Sequence, residues 1–119
     1  MRVIIAGSRS LTNCDISKLV RESGFNVTTV LSGTAKGVDE AGETWALKNT
    51  IPLERYSPDY HRYGRGAPIR RNDTMVSHAD ALIALWDGHS RGTKDVVSKA
   101  LRKNLKLYVK TLIDEDGVF

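Results

Sequence analysis

The stretch Val3-Ile4-Ile5-Ala6-Gly7-Ser8-Arg9-Ser10 decides the fold. Four apolar residues run without alternation and stop at a glycine followed by small polar residues. A run of this kind is a strand covered on both faces, because a half-solvated strand would alternate apolar and polar positions. Residues 27–31 and 81–86 read the same way. Each run is followed by glycine and hydroxyl residues and then by a helix-like stretch. Weaker strand candidates lie at 51–56 and 107–113.

The intervening stretches have helical character. Thr12-Asn13-Cys14-Asp15 fits a capping-box-like start, and Gly24 is a natural stop. Val38, Ala41, Gly42 and Trp45 share one face of a second helix. A third runs over 69–79, with Pro68 near its first turn. In a fourth, Val96, Val97, Ala100 and Leu101 form the apolar stripe, with Lys99, Arg102 and Lys103 outside. Strict alternation of strand and helix implies a parallel sheet with helices on both faces. The expected architecture is an α/β, three-layer, Rossmann-like domain over residues 1–113. Its five-stranded, mostly parallel sheet has order 3-2-1-4-5. Residues 114–119 form an acidic tail. Segment 56–68 is the one long irregular connection, rich in Tyr, Arg and Gly.

At 119 residues, the chain suits one domain. An apolar share of 40% and a charged share of 27% exclude collagen-like, disordered and coiled-coil classes. The formal charge of +4 favours an anionic partner and leaves nucleotide, nucleic acid and no partner all open. Cys14 is the single cysteine, so no internal disulfide forms, which agrees with a cytoplasmic setting. His61, His78 and His89 are far apart and have no clustered thiol, so no metal and no cofactor are expected. No apolar run approaches the ~20 residues of a membrane span.

Ligands of open parallel sheets bind at the carboxyl ends of the strands, where strand order reverses. Three loops fall there: Gly7-Ser8-Arg9-Ser10, Ser32-Gly33-Thr34-Ala35-Lys36-Gly37-Val38-Asp39, and Asp87-Gly88-His89-Ser90-Arg91-Gly92-Thr93. Glycine lets backbone N–H groups approach a ligand, and helix N-termini add unpaired donors and partial positive charge. Arg9, Lys36, Arg70, Arg71 and Arg91 supply charge for phosphate. The dinucleotide pattern G-x-G-x-x-G is absent, as is the P-loop pattern G-x-x-x-x-G-K-[ST]. Both ordinary NAD chemistry and P-loop hydrolysis are therefore disfavoured.

These motifs, with Arg71-Asn72 and Asp80-Ala81-Leu82-Ile83-Ala84, resemble the SLOG superfamily of Rossmann-like proteins, and most closely its small branch related to YspA and YpsA. The resemblance runs from Met1 to Val109. It implies a nucleotide-shaped pocket, a homodimer and bacterial or phage relatives, but not one reaction. LOG relatives cleave the N-glycosidic bond of nucleoside 5′-monophosphates, DprA/Smf relatives bind single-stranded DNA, and sensor domains bind nucleotide signals. LOG enzymes carry P-G-G-x-G-T-x-x-E; here Gly92-Thr93 match, but Val96 stands at the glutamate position and Asp95 comes one residue early. Glycosidic cleavage would then need Asp39 or Asp87 as its carboxylate.

The expected site follows. Gly7, Ser8, Arg9, Ser32, Gly33 and Gly37 shape one side of a nucleotide pocket. Asp87, Ser90, Gly92 and Thr93 shape the other. Arg70 and Arg71 clamp charge beside Asn72, which also reads as a cap or loop bridge. Arg9 reads equally as a strut to Asp39. Gly24, Gly42 and Gly117 read as turn glycines, and Trp86 reads as a base-stacking residue or a plug. Tyr56, Tyr60, His61, Arg62, Tyr63 and Arg65 interleave rings with positive charge. That pattern suits single-stranded nucleic acid, an ordinary loop or a dimer surface. The leading expectation is a protein that binds a nucleotide or nucleotide-derived molecule as sensor, sequestering protein or nucleoside-phosphate N-glycosidase. A single-stranded nucleic-acid-binding module resembling DprA is the alternative.

Overall fold

Alternate residues of the central strand β1 (Arg2–Gly7) enter two separate cores. Val3 and Ile5 face one, and Ile4 and Ala6 face the other. Successive side chains of a strand point to opposite faces, so a strand covered on both sides must be apolar at every position. The computed structural model describes residues 1–111. The acidic tail at 114–119 and the end of the expected fifth strand, 112–113, lie outside the described residues.

The sheet has five parallel strands in the order β3-β2-β1-β4-β5. The other strands are β2 (Thr29–Ser32), β3 (Leu53–Arg55), β4 (Ala81–Trp86) and β5 (Lys106–Thr111). Helices α1 (Ile16–Ser23) and α2 (Val38–Lys48) cover one face through Ile16, Leu19, Val38 and Ala46. Helices α4 (Ala67–Ser77) and α5 (Arg91–Arg102) cover the other through Met75, Val76, Val96 and Ala100. The expected class, layers and strand order are those observed. Among the described residues, no helix is long and apolar enough to cross a membrane.

Several local expectations are corrected. Helix α1 starts at Ile16 and not at Thr12, because the Asp15 carboxylate accepts from the Lys18 N–H (3.1 Å) and is itself the cap. It ends as expected at Gly24, whose φ of 72° few other residues tolerate. Strand β2 begins two residues late, since its register starts at Arg2 opposite Thr29. The segment 56–68 is not irregular: the Asp59 side chain accepts from the Arg62 N–H (3.1 Å) and starts a short helix, α3 (Tyr60–Tyr63). A 3-10 turn, Gly64–Gly66, links it to α4. Helix α4 starts at Ala67, two residues early, with Pro68 in its first turn. Gly42 is no turn glycine: it lies inside α2, where a Cβ would stand 2.9 Å from Ile5 Cγ2.

The polarity of α5 is also partly reversed. Leu101 is 64% exposed, whereas Lys99 is buried against α4. A lysine stem can line an apolar seam while its ammonium group finds oxygen partners.

From the start of β1, Arg2 reaches across β2 to Glu54 of β3. Its Nη1 and Nη2 donate to the two carboxylate oxygens at 2.8 and 2.6 Å, and the Tyr56 hydroxyl donates to Oε1 at 2.7 Å. The Arg2 fork, helped by Tyr56, holds the Glu54 carboxyl down at about 2. A depressed folded pKa contributes stability that is present above the unfolded value and lost as pH falls through the folded one. Urea midpoints should therefore fall between pH 4.5 and about 2, and Glu54→Gln should flatten that fall. An unchanged slope in the variant would remove this pair as a cause.

Candidate functional site

The carboxyl ends of β1, β2 and β4 open onto a cleft of about 490 Å³, a volume in the range of small-molecule sites. Its wall gathers Gly7 and Arg9 from the first loop, Gly33 to Lys36 from the second, and Ser90, Gly92 and Thr93 from the third. Asp39 from α2 and Arg71 and Asn72 from α4 complete the polar lining. These nine expected residues meet there: Gly7, Arg9, Gly33, Asp39, Arg71, Asn72, Ser90, Gly92 and Thr93.

Among the described residues Asp39 is the only carboxylate in the lining, and it is buried. It accepts from the Gly7 and Ala35 N–H groups, both at 3.3 Å. Burial pushes its pKa up, against the pull of the Ala35 N–H, the Arg71 charge and the Gly7 N–H. Arg9 is exposed and makes no bond to Asp39, so it is not a strut. Gly33 lets Asp39 and Arg71 come together. A Cβ there would lie 2.8 Å from Asp39 Oδ2 and 2.6 Å from Arg71 Nη1.

Arg71 is turned inward and spends most of its donors on protein. Its Nη1 donates to the carbonyl oxygens of Gly33 and Tyr56, and its Nε donates to Asn72 Oδ1 at 2.8 Å. Burial lowers its pKa from the ordinary arginine value. Asn72 is 3% exposed and donates in turn to Gly92 O and Asp95 Oδ2. It bridges α4 to α5 while lining the cleft.

The remaining expected residues lie behind the lining or beside it. Ser8 is fully buried and its Oγ accepts from the Asp87 N–H at 2.9 Å. Asp87 accepts from Ser10 Oγ (3.3 Å) and from the N–H groups of His89 and Ser90 (2.8 and 2.9 Å). Those backbone donors, His89 first, hold its carboxyl below the usual range. Ser8, Ser10 and Asp87 thus staple the first loop to the third. Ser32 donates to Glu43 (2.6 Å) and accepts from the Thr34 N–H (3.0 Å), which ties the second loop to α2. Gly37 has φ 78°, and a Cβ there would meet Ser8 O at 2.5 Å, so this position needs glycine.

Arg70 and Arg71 diverge. The Arg70 guanidinium lies 5.3 Å from the centroid of the Tyr63 ring and lines a neighbouring hollow of about 310 Å³. Arg71 belongs to the walls of both. The Trp86 Nε1 donates to Ser90 O (2.9 Å), which anchors the third loop. Cys14 donates to Leu11 O, and burial raises its pKa. No group of three His, Cys, Asp or Glu side chains among the described residues could hold a metal ion.

Sequence reading missed Thr34, Pro58, Pro68, Met75 and Val96 in the lining. Thr34 has φ 65°, a strained value for a β-branched residue, of the kind that collects at ligand sites. Val96 was within reach of periodicity, four residues beyond Gly92 on one face of α5. Val96, three residues after Thr93, thus faces the cleft as an apolar side chain. Asp95 turns instead to Asn72 and Lys99.

The family model described as "YspA, cpYpsA-related SLOG family" matches residues 1–63, just over half of the 119-residue chain. No curated protein and no solved structure matches it.

Proposed function

Because the chain belongs to the YspA, cpYpsA-related SLOG family, we propose that it binds a nucleotide or nucleotide-derived molecule in the cleft at the carboxyl edge of its sheet. One observation carries this reading. A cleft of nucleotide size brings Arg9, Lys36 and Arg71 together with the first turn of α5 and the buried carboxylate of Asp39. Cations and helix N-terminal N–H groups suit phosphate. Asp39 suits ribose hydroxyls, which donate to a carboxylate. If the bound molecule is cleaved at its N-glycosidic bond, Asp39 is the group that would stabilise an oxocarbenium-like ribose. Asp87, with Oδ2 bonded to Ser10 of the first loop and Oδ1 to the N–H groups of its own loop, serves that arrangement from behind.

The test is a thermal-shift panel of nucleoside mono-, di- and triphosphates, NAD, ADP-ribose and cyclic nucleotides. A compound at ~100 times its dissociation constant adds about 2.7 kcal/mol of stability. Arg9→Ala with Lys36→Ala should abolish most of the shift and leave the unliganded midpoint unchanged, since both side chains are exposed. A panel without any shift would end this reading.

A second reading rests on a different observation. Arg62 and Arg70 flank the Tyr63 ring at 5.1 and 5.3 Å, a stacking platform with charge beside the cleft. Under this reading the protein is a single-stranded nucleic-acid-binding module. A single-stranded oligonucleotide added to the same panel at low salt separates the two, since its binding alone should collapse as salt rises.

A further inference from the structure

Arg71 has five N–H donors. Its Nε–H and both Nη1–H groups have protein acceptors: Asn72 Oδ1, Gly33 O and Tyr56 O. Among the described residues its Nη2 has none, and no buried side-chain nitrogen or oxygen lacks a partner. Nη2 is therefore accessible, and its two N–H groups are what Arg71 can offer to an anion. Their direction depends on the planar guanidinium being held by the acceptor on Nε.

That acceptor is one end of an amide. Asn72 can present oxygen or NH2 to Arg71, and only oxygen accepts. On its far side Asn72 Nδ2 meets Asp95 Oδ2 at 3.0 Å. An ionised carboxylate accepts only, so the NH2 must face Asp95 and the oxygen must face Arg71. Asp95 is itself pinned. Lys99 Nζ, with its side chain 10% exposed, lies 2.9 Å from the same Oδ2, 3.2 Å from Asp73 Oδ1 and 2.8 Å from Ile69 O.

We propose that Asp95 and Lys99 are positioning residues: Asp95, held by Lys99, sets the direction of the Asn72 amide and thereby aims Arg71 Nη2 at the bound anion. Neither residue lines the cleft. For the anion itself, the inference rests on the nucleotide reading above; for the arginine's orientation it does not.

Two measurements test it. The first follows hydrogen exchange of the Arg71 Nε–H by nitrogen NMR of the arginine side chains. The second follows binding of adenosine 5′-monophosphate by calorimetry. A folded Asp95→Ala protein should exchange the Arg71 Nε–H faster and bind the nucleotide about tenfold more weakly. Asp95→Asn keeps an amide oxygen for both neighbours and should restore both readouts, which a loss of packing alone would not predict. Wild-type exchange in folded Asp95→Ala would overturn the proposal. Should that variant not fold, Lys99→Met decides, with faster Arg71 exchange supporting the proposal and wild-type exchange overturning it. If the wild-type protein fails to bind this nucleotide, the full panel still decides the nucleotide reading, and the exchange measurement alone decides the role of Asp95.

Discussion

Gly7→Ala should destabilise the fold by about 3 kcal/mol, the upper end for overpacking a core. A Cβ at this position would lie 2.7 Å from Val38 Cβ and closer still to the backbone oxygen of Leu85. Neither neighbour can turn away. Leu85 belongs to β4, whose register with β1 places it opposite Gly7, and Val38 is fully buried at the start of α2. Relief would require β1 and β4 to separate at the very edge where the cleft forms. At roughly 4 °C per kcal/mol for a domain of this size, the melting midpoint should drop by more than about 10 °C. A wild-type midpoint in calorimetry would mean that the strands yield more easily than their packing implies.

Asp39→Ala should cost a similar amount, about 3 kcal/mol, by a different route. Asp39 is 5% exposed, and its carboxylate satisfies the N–H groups of Gly7 and Ala35. Its removal leaves two donors facing an apolar methyl group, and each unsatisfied buried donor costs about 1–3 kcal/mol. Asn at this position keeps one acceptor oxygen and turns an NH2 toward the other donor, so Asp39→Asn should lose about half as much. Urea titrations of the three proteins at neutral pH check the order wild type, Asn, Ala. Equal stability of Ala and wild type would contradict the assigned bonds. The Gly7 and Asp39 effects should not add, because Gly7 donates to Asp39 and both changes disturb one contact.

The central sheet was legible because burial on both faces leaves only apolar residues, and residues 3–6 and 81–86 contain little else. The first two loops at the carboxyl edge were legible for a related reason: close backbone approach demands glycine, and Gly7, Gly33 and Gly37 each meet a neighbour that a Cβ would strike, whereas Gly88 and Gly92 of the third loop meet none. Helix starts set by a single side chain were harder. Asp15 and Asp59 each cap a helix, yet nothing local separates a capping aspartate from one in a loop. Adjacent residues were hardest. Arg70 and Arg71 looked like a pair, but successive helical side chains diverge by about 100°, so one joins the Tyr63 ring and the other the cleft. Lys99 looked like surface charge because its acceptors come mostly from α4, far away in the chain.

The sheet order has one more consequence, for how the fold is assembled. Strand β1 is paired on one side with β2 and on the other with β4, where Val3 stands opposite Ala81. The family-matched residues 1–63 supply only the first of these neighbours. A fragment limited to them would leave a two-faced apolar strand with an open edge, a template for wrong pairing. Because every ladder is parallel, no hairpin can nucleate the sheet, and each pairing must wait for a crossover to close. The two halves of the chain are therefore a single cooperative unit joined along β1–β4. That seam ends at Gly7 and Leu85, and Gly7 lines the cleft, so the last contact of the β1–β4 ladder borders it.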